Sequence, residues 1–281
     1  MKQISQDYFN EAVHTNMELL DLSLDEAIEE TITTFAIEGV DLSNIVKDML
    51  KYETGHPGED LVKRLKETEI NDAEFLPLLQ SLRAISAQSV AHRKLLVDYG
   101  LLDLLFSLVA KCASITTASA VQVLDLLADI INGQSQVLNT DERSRQLTIV
   151  LDLLAGYLKQ PKNLLDTPDQ MELVRSMYIL LRQCCLENEA KRRQIADTGI
   201  IRDTTSMLFS MNLSTTMNLH LASQCQLLHD ACAFIRSMTV DDDMSVEFGE
   251  GSANARNIAS DKMVLKLFVK LAKGKFSPNY F

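Results

Sequence analysis

The chain has 281 residues, 46% of them hydrophobic and 23% charged, with a formal net charge of −12. That excess of acid repels polyanions at long range and removes the usual electrostatic footprint of nucleic-acid binding, so no direct nucleic-acid ligand is expected. No apolar run approaches membrane-spanning length and the first residues carry no apolar signal core, so no membrane partner and no secretory route are expected.

Taken in chain order, the apolar spacing predicts a first helix over residues 6–20. A second starts at Ser23-Leu24-Asp25-Glu26, where the serine hydroxyl and the glutamate can satisfy each other's backbone donors. It should run from Leu24 to about Glu38, with Ala27, Ile28, Ile32 and Phe35 on one face and Gly39 as its left-handed stop. Gly-His-Pro-Gly then breaks the pattern, which divides the chain into an N-terminal helical region over 1–54, a linker over 55–59, about four repeats over 60–276 and a tail over 277–281.

Within the repeats the text recurs. "HRKLLVDYGLLDLLFSLV" at 92–109 and "KRRQIADTGIIRDTTSMLF" at 191–209 align Arg93 with Arg192, Asp98 with Asp197 and Gly100 with Gly199, 99 positions apart. A middle copy, "IVLDLLAGYL" at 149–158, halves that spacing, and "MVLKLFVKL" at 263–271 is a fainter fourth. Each leucine-rich helix is followed by a second apolar one. The stripes are Ala120, Val123, Leu124, Leu127 and Ile131, then Val174, Met177, Tyr178, Leu181 and Cys185, then Leu228, Ala231, Ile235 and Met238. One such stripe cannot be buried by its own helix, so equivalent helices should stack in sequential layers. The expected fold is all-α, a right-handed helical solenoid with a small helical N-terminal region.

A short basic helix, a glycine, a leucine-rich helix and a long third helix together resemble the armadillo repeat over residues 70–272. "GVDLSNIVK" at 39–47 and "IRSMTVDDDMSVEFG" at 235–249 resemble segments of the armadillo repeat-containing protein 6 family, whose members are longer, so the likeness is to their N-terminal portion. The family's histidine-bearing stretch after the aspartates departs here to "GEGSANAR". The resemblance implies a non-enzymatic interaction scaffold that binds an extended protein or peptide segment on a concave face lined by the third helices. In the peptide-binding relatives that face carries asparagines, whose positions here hold Ala84, Asp129, Gln183 and Ser237.

What recurs on the third helices is an arginine after the last large apolar residue: Arg83, Arg182 and Arg236. Such a row would offer fork-shaped donors to carboxylates or carbonyls, and the alternative is capping of helix carbonyls. The expected partner-binding residues are therefore Arg83, Asp129, Arg182, Gln183, Arg236 and Ser237. No catalytic residue, metal ligand or cofactor is assigned. The competing readings are a metal protein or Cys/His-dependent enzyme centred on residues 225–243, and a nuclear transport adaptor.

The first competing reading draws on Cys225, His229 and Cys232, with His220 nearby, and on the aspartates at 241–243. Asp241 is expected to cap the following helix or to pair with an arginine such as Arg236. Lys191-Arg192-Arg193 reads as part of a solvated short helix. Reduced thiols point to a cytoplasmic location, with nuclear access also open. The last repeat ends without a covering helix, and its apolar edge is a candidate for self-association.

Overall fold

The computed structural model of the chain describes residues 2–52, 55–111, 116–211 and 221–272. His220 and the tail over 277–281 lie outside the described residues. Among those described are fifteen α-helices and one pair of two-residue strands, so the fold is all-α. The chain divides into two units, residues 1–102 and 103–281.

In the first unit α1 (Gln6–Leu20) has the predicted bounds, and α2 (Leu24–Ile37) stops where Glu38 caps it and Gly39 turns to φ 71°. The Glu26 carboxylate accepts the Ser23 N–H at 2.9 Å while the Ser23 hydroxyl accepts from the Glu26 N–H, which completes the predicted capping box. Phe9, Val13, Ala27, Ile28, Phe35 and Ile45 pack between the two helices. The helical reading missed the strand pair, β1 (Lys2–Gln3) running parallel to β2 (Val40–Asp41). Two residues are too few for any alternation to register. Gln6 locks the closure by donating to the Val46 carbonyl at 3.0 Å and accepting the Val46 N–H at 2.8 Å.

Within the Gly-His-Pro-Gly stretch, expected in a linker over 55–59, α3 (Pro57–Glu67) begins at Pro57. Pro57 takes the first helical position, where its missing N–H costs nothing and its fixed φ suits the helix. His56 caps that helix by accepting the Gly58 N–H at 3.1 Å. Gly58 is needed for packing, because a Cβ there would lie 2.9 Å from Leu96 Cδ2. Helices α4 (Phe75–Ser86) and α5 (Val90–Asp98) complete this unit.

The division falls within the first turn of α6 (Leu101–Val109), and the second unit goes on with α7 (Thr117–Ile131), α8 (Asp141–Leu158), α9 (Pro161–Leu165) and α10 (Pro168–Cys185). It continues with α11 (Glu189–Asp197), α12 (Ile200–Ser210), α13 (Leu221–Met238), α14 (Gly251–Ser260) and α15 (Lys262–Ala272). The long helices α7, α10 and α13 stack in chain order with α10 in the middle, the layering of a helical solenoid. Ties between layers join residues 51 to 55 positions apart: Ser176 Oγ donates to Asp125 Oδ1 at 2.7 Å, and Arg175 Nε to Asp230 Oδ2 at 2.8 Å.

The predicted stripes of α7 and α10 are fully buried, and those of α13 largely so. Leu228 is the exception, half-buried while Leu227 and Phe234 take interior positions. Tyr178 stacks on Phe234 at 5.4 Å and donates to Thr204 Oγ1 at 3.0 Å, so its phenol is buried with a partner.

Two local devices explain why the repeated text has its form. Gly100 (φ 86°) separates α5 from α6, and Gly199 (φ 77°) separates α11 from α12, in a backbone region that suits residues without a Cβ. The middle copy has Ile149 at that position, and α8 runs through it unbroken.

The second device is a side chain of the next short helix that caps the carbonyl end of the helix before it. Arg93 donates to the Ser86 carbonyl at 3.0 Å and Arg192 to the Cys185 carbonyl at 2.8 Å, each seven residues back. Asn254 does the same work for Met238 at 2.9 Å, and in the middle copy Arg143, on the long α8, reaches the Val137 carbonyl of the 3-10 turn Ser135–Leu138 at 2.7 Å. These bonds satisfy carbonyls that a helix end leaves open, and the cations also favour the negative end of the helix dipole. The reading of Lys191-Arg192-Arg193 as a solvated helix is therefore corrected, since Lys191 and Arg192 are both buried.

Candidate functional site

Each stacked helix buries most of its surface and leaves one strip in contact with solvent. On α7 the strip includes Gln122, Asp125 and Asp129; on α10, Arg175, Ile179, Arg182 and Gln183; on α13, Gln226, His229 and Arg236. A helical residue three or four positions on returns to the same side, which is why these numbers share a face.

Of the residues expected there, Arg182 and Arg236 are exposed, and no described residue pairs with either side chain. Gln183 keeps a buried Oε1 that no donor reaches. Asp129 is half-buried on the same strip. Ser237 is occupied: its hydroxyl donates to the Phe234 carbonyl at 2.7 Å, and its own carbonyl accepts Arg192 Nε at 3.2 Å. Arg83 lies half-buried at the corresponding turn of α4, in the first unit.

Sequence reasoning missed Arg175, which ties two layers by donating to Asp230 Oδ2 and, at 2.9 Å, to Gln226 Oε1. The available signal was its position seven residues before Arg182, two helical turns along one face.

The acidic segment at 241–243 has protein partners for each carboxylate. Asp241 accepts the Ser252 hydroxyl at 2.7 Å, Asp242 pairs with the Arg192 guanidinium, and Asp243 accepts the Glu189 N–H at 2.8 Å. Asp241 thus binds the first turn of α14, as one expectation had it, while the paired arginine is Arg192 rather than Arg236. Hydrogen bonds from Ser252 and Ser245 hold Asp241 and Asp243 below the ordinary carboxylate range.

Arg192 is the centre of this corner, with a side-chain exposure of 0%. It also meets Glu189 Oε2 at 2.5 Å, and Glu189 Oε1 in turn accepts the Glu250 N–H at 2.7 Å. Burial lowers the Arg192 pKa, and its bonds to Asp242 and Glu189 more than restore it.

Cys225, His229 and Cys232 do not gather. Among the described residues the group of possible metal ligands whose atoms converge is Asp48, His56 and His92, within 4.8 Å. His92 Nε2 lies 2.9 Å from Asp48 Oδ1, its Nδ1 lies 2.8 Å from Ser89 Oγ, and Tyr52 donates to Asp48 Oδ2 at 3.2 Å. Those second partners would suit a metal. The third ligand does not, because His56 Nδ1 accepts the Gly58 N–H, which leaves the proton of the neutral ring on Nε2. The group serves as a polar tie between the 48–52 turn, α3 and α5. Burial holds His56 below the ordinary imidazole range, against a smaller opposing pull from Asp48.

The thiols are equally quiet. Burial pushes Cys232 up to about 11 and Cys185 up to about 12, far from the thiolate that nucleophilic chemistry needs.

Comparison with known proteins agrees with this architecture. Residues 1–64 match the family described as Armadillo repeat-containing protein 6 N-terminal domain. Along 97% of its length the chain is 26% identical to Armadillo repeat-containing protein 6 from Homo sapiens, and equally so to that from Pongo abelii. Along 99% it is 28% identical to the Drosophila melanogaster homolog. The chain spans about half the length of these relatives, 51% of the first two and 56% of the third. Its first 64 residues resemble the N-terminal domain of armadillo repeat-containing protein 6, and the stacked layers that follow continue the likeness to the end of the alignment.

Proposed function

We propose that the chain is a non-enzymatic interaction scaffold that holds an extended segment of a partner protein across the exposed strip of α7, α10 and α13. One observation carries this reading. Helix carbonyls in this chain are capped by Arg93, Arg143, Arg192 and Asn254, whereas Arg182 and Arg236, at the same turn of adjacent stacked helices, are left in solvent. A row of unpaired guanidinium forks suits carboxylates or backbone carbonyls of an extended chain. The likeness to armadillo proteins and the protonated buried thiols support a role without catalysis.

Over α10 and α13 the unpaired Arg182 and Arg236 would repel a basic signal, which argues against a nuclear transport adaptor that receives one there. The expected partner segment is acidic or presents free carbonyls over α10 and α13. Affinity capture from cell extract with the chain and with its Arg182→Glu/Arg236→Glu variant tests the reading. Partners retained by the first should be lost by the second while thermal melting stays the same. An unchanged set of partners would remove the strip from consideration, and a collapsed melting curve would make these arginines structural.

A further inference from the structure

A second surface lies on the loop between α13 and α14. Met244 and Phe248 are 95% and 82% exposed there, and Val246 is exposed beside them. Large apolar side chains displayed together in water are uncommon on a surface that has nothing to bind. They border a cavity of about 490 Å³, whose wall also carries the carboxylates of Glu189, Asp241, Asp243 and Glu247 against the single cation Arg256.

The backbone that displays them is fixed. Asp242 is held by Arg192, Asp243 by the Glu189 N–H, the Glu250 N–H by Glu189, and Asp241 by Ser252. Ser245 folds back onto Asp243 through its N–H at 3.0 Å and its hydroxyl at 2.5 Å. A loop already ordered by its own bonds loses little conformational freedom when a partner arrives, so the apolar contact is not spent on ordering it.

We propose that this loop docks a short basic and apolar segment of another protein. An aliphatic or aromatic residue of that segment seats between Met244 and Phe248, and a flanking lysine or arginine meets Glu247 and the carboxylates of the cavity wall. Charge selects this occupant: four carboxylates against one guanidinium line the cavity, and an acidic segment would be repelled. The proposal is independent of the strip on α7, α10 and α13, whose arginines call for the opposite charge.

A displayed library of random dodecapeptides, selected on the whole chain and counter-selected on a Met244→Ser/Phe248→Ser variant, tests it. Selected peptides should carry lysine or arginine beside a large apolar residue. They should bind the double variant at least tenfold more weakly and lose affinity to Glu247→Lys and to added salt. The three positions are exposed, and melting curves of the variants should overlay that of the parent chain. Three results would overturn the proposal: no peptide that distinguishes the double variant, selected peptides without basic residues, or sedimentation showing that a second copy of the chain occupies the loop.

Discussion

Arg182 and Arg192 stand ten positions apart on either side of one helix end, and the surroundings of each decide what it does. Arg192 is buried among Glu189, Asp242 and two backbone carbonyls, where it joins α10, α11 and the acidic loop. Arg182 projects from the last turn of α10 into solvent. The same guanidinium is a structural hub in one place and an offered contact in the other. An arginine near a helix C-terminus is thus no guide to role until its carbonyl partner is known.

The sharpest way to separate the two is to remove the hub. Arg192→Ala strands Glu189 and Asp242 without their cation and frees two carbonyls, which should cost about 3–5 kcal/mol, the range for breaking one side of a buried pair. Thermal or denaturant unfolding reads this loss directly. Arg192→Lys keeps the charge but cannot bridge four acceptors, and should fall between the variant and the parent.

The repeat corners come next in size. Gly199→Val places a β-branched side chain at φ 77°, and should cost about 1–2 kcal/mol or more from backbone strain. The middle copy sharpens this result. Ile149→Gly, in unbroken helix, should cost only about 1 kcal/mol, from helix propensity together with its partly exposed side chain.

A third test is acidification, whose imidazole step acts on the first unit before the carboxylates around Arg192 begin to titrate. His56 has a lowered pKa in the fold, so between that value and the ordinary imidazole value of about 6.5 the unfolded chain binds the extra proton. Stability should be fully present above about pH 6.5 and fall as pH drops below it. His56→Asn retains a side-chain oxygen for the Gly58 N–H and should flatten that fall.

Asp48 acts with the same sign at lower pH. Burial raises its pKa, but the bond and charge of His92 with the Tyr52 hydroxyl outweigh this and leave it lowered. Its contribution should persist down to about pH 4 and disappear only below its folded pKa. Unfolding midpoints measured from pH 7 to pH 3 separate the two steps.

The smallest expected effect on stability belongs to Arg182→Glu/Arg236→Glu. Surface substitutions without partners change stability by about 0.5 kcal/mol or less each, so any larger shift in the melting curve would return both arginines to the class that contains Arg192.

The distinction between these two classes was only half legible in the letters. Capping at Ser23, the glycine corners at 100 and 199, and the stripes of α7 and α10 could be read because each depends on neighbours within a few positions. The burial of Arg192 could not, since its carboxylate partner Asp242 is 50 positions away and both residues lie in polar text. The Asp48, His56 and His92 group escaped for the same reason, because its spacing follows no ligand motif. Pro57 misled for a local reason: a residue that ends one helix also starts the next. On the strip, periodicity located the face, and only the bonds of Ser237 showed that its hydroxyl was already taken.

The parallel pairing of Lys2–Gln3 with Val40–Asp41 has a consequence for how the molecule is made. During synthesis the first hairpin cannot seal until residue 46 has left the ribosome, since Gln6 waits for Val46. In the second unit the ties span 51 to 55 positions, yet α10 can settle on α7 and α13 on α10 as each emerges, because the layer before it is already formed. Assembly should therefore proceed as one early closure of some forty residues followed by stepwise accretion, and chains arrested before residue 46 should remain sensitive to protease throughout.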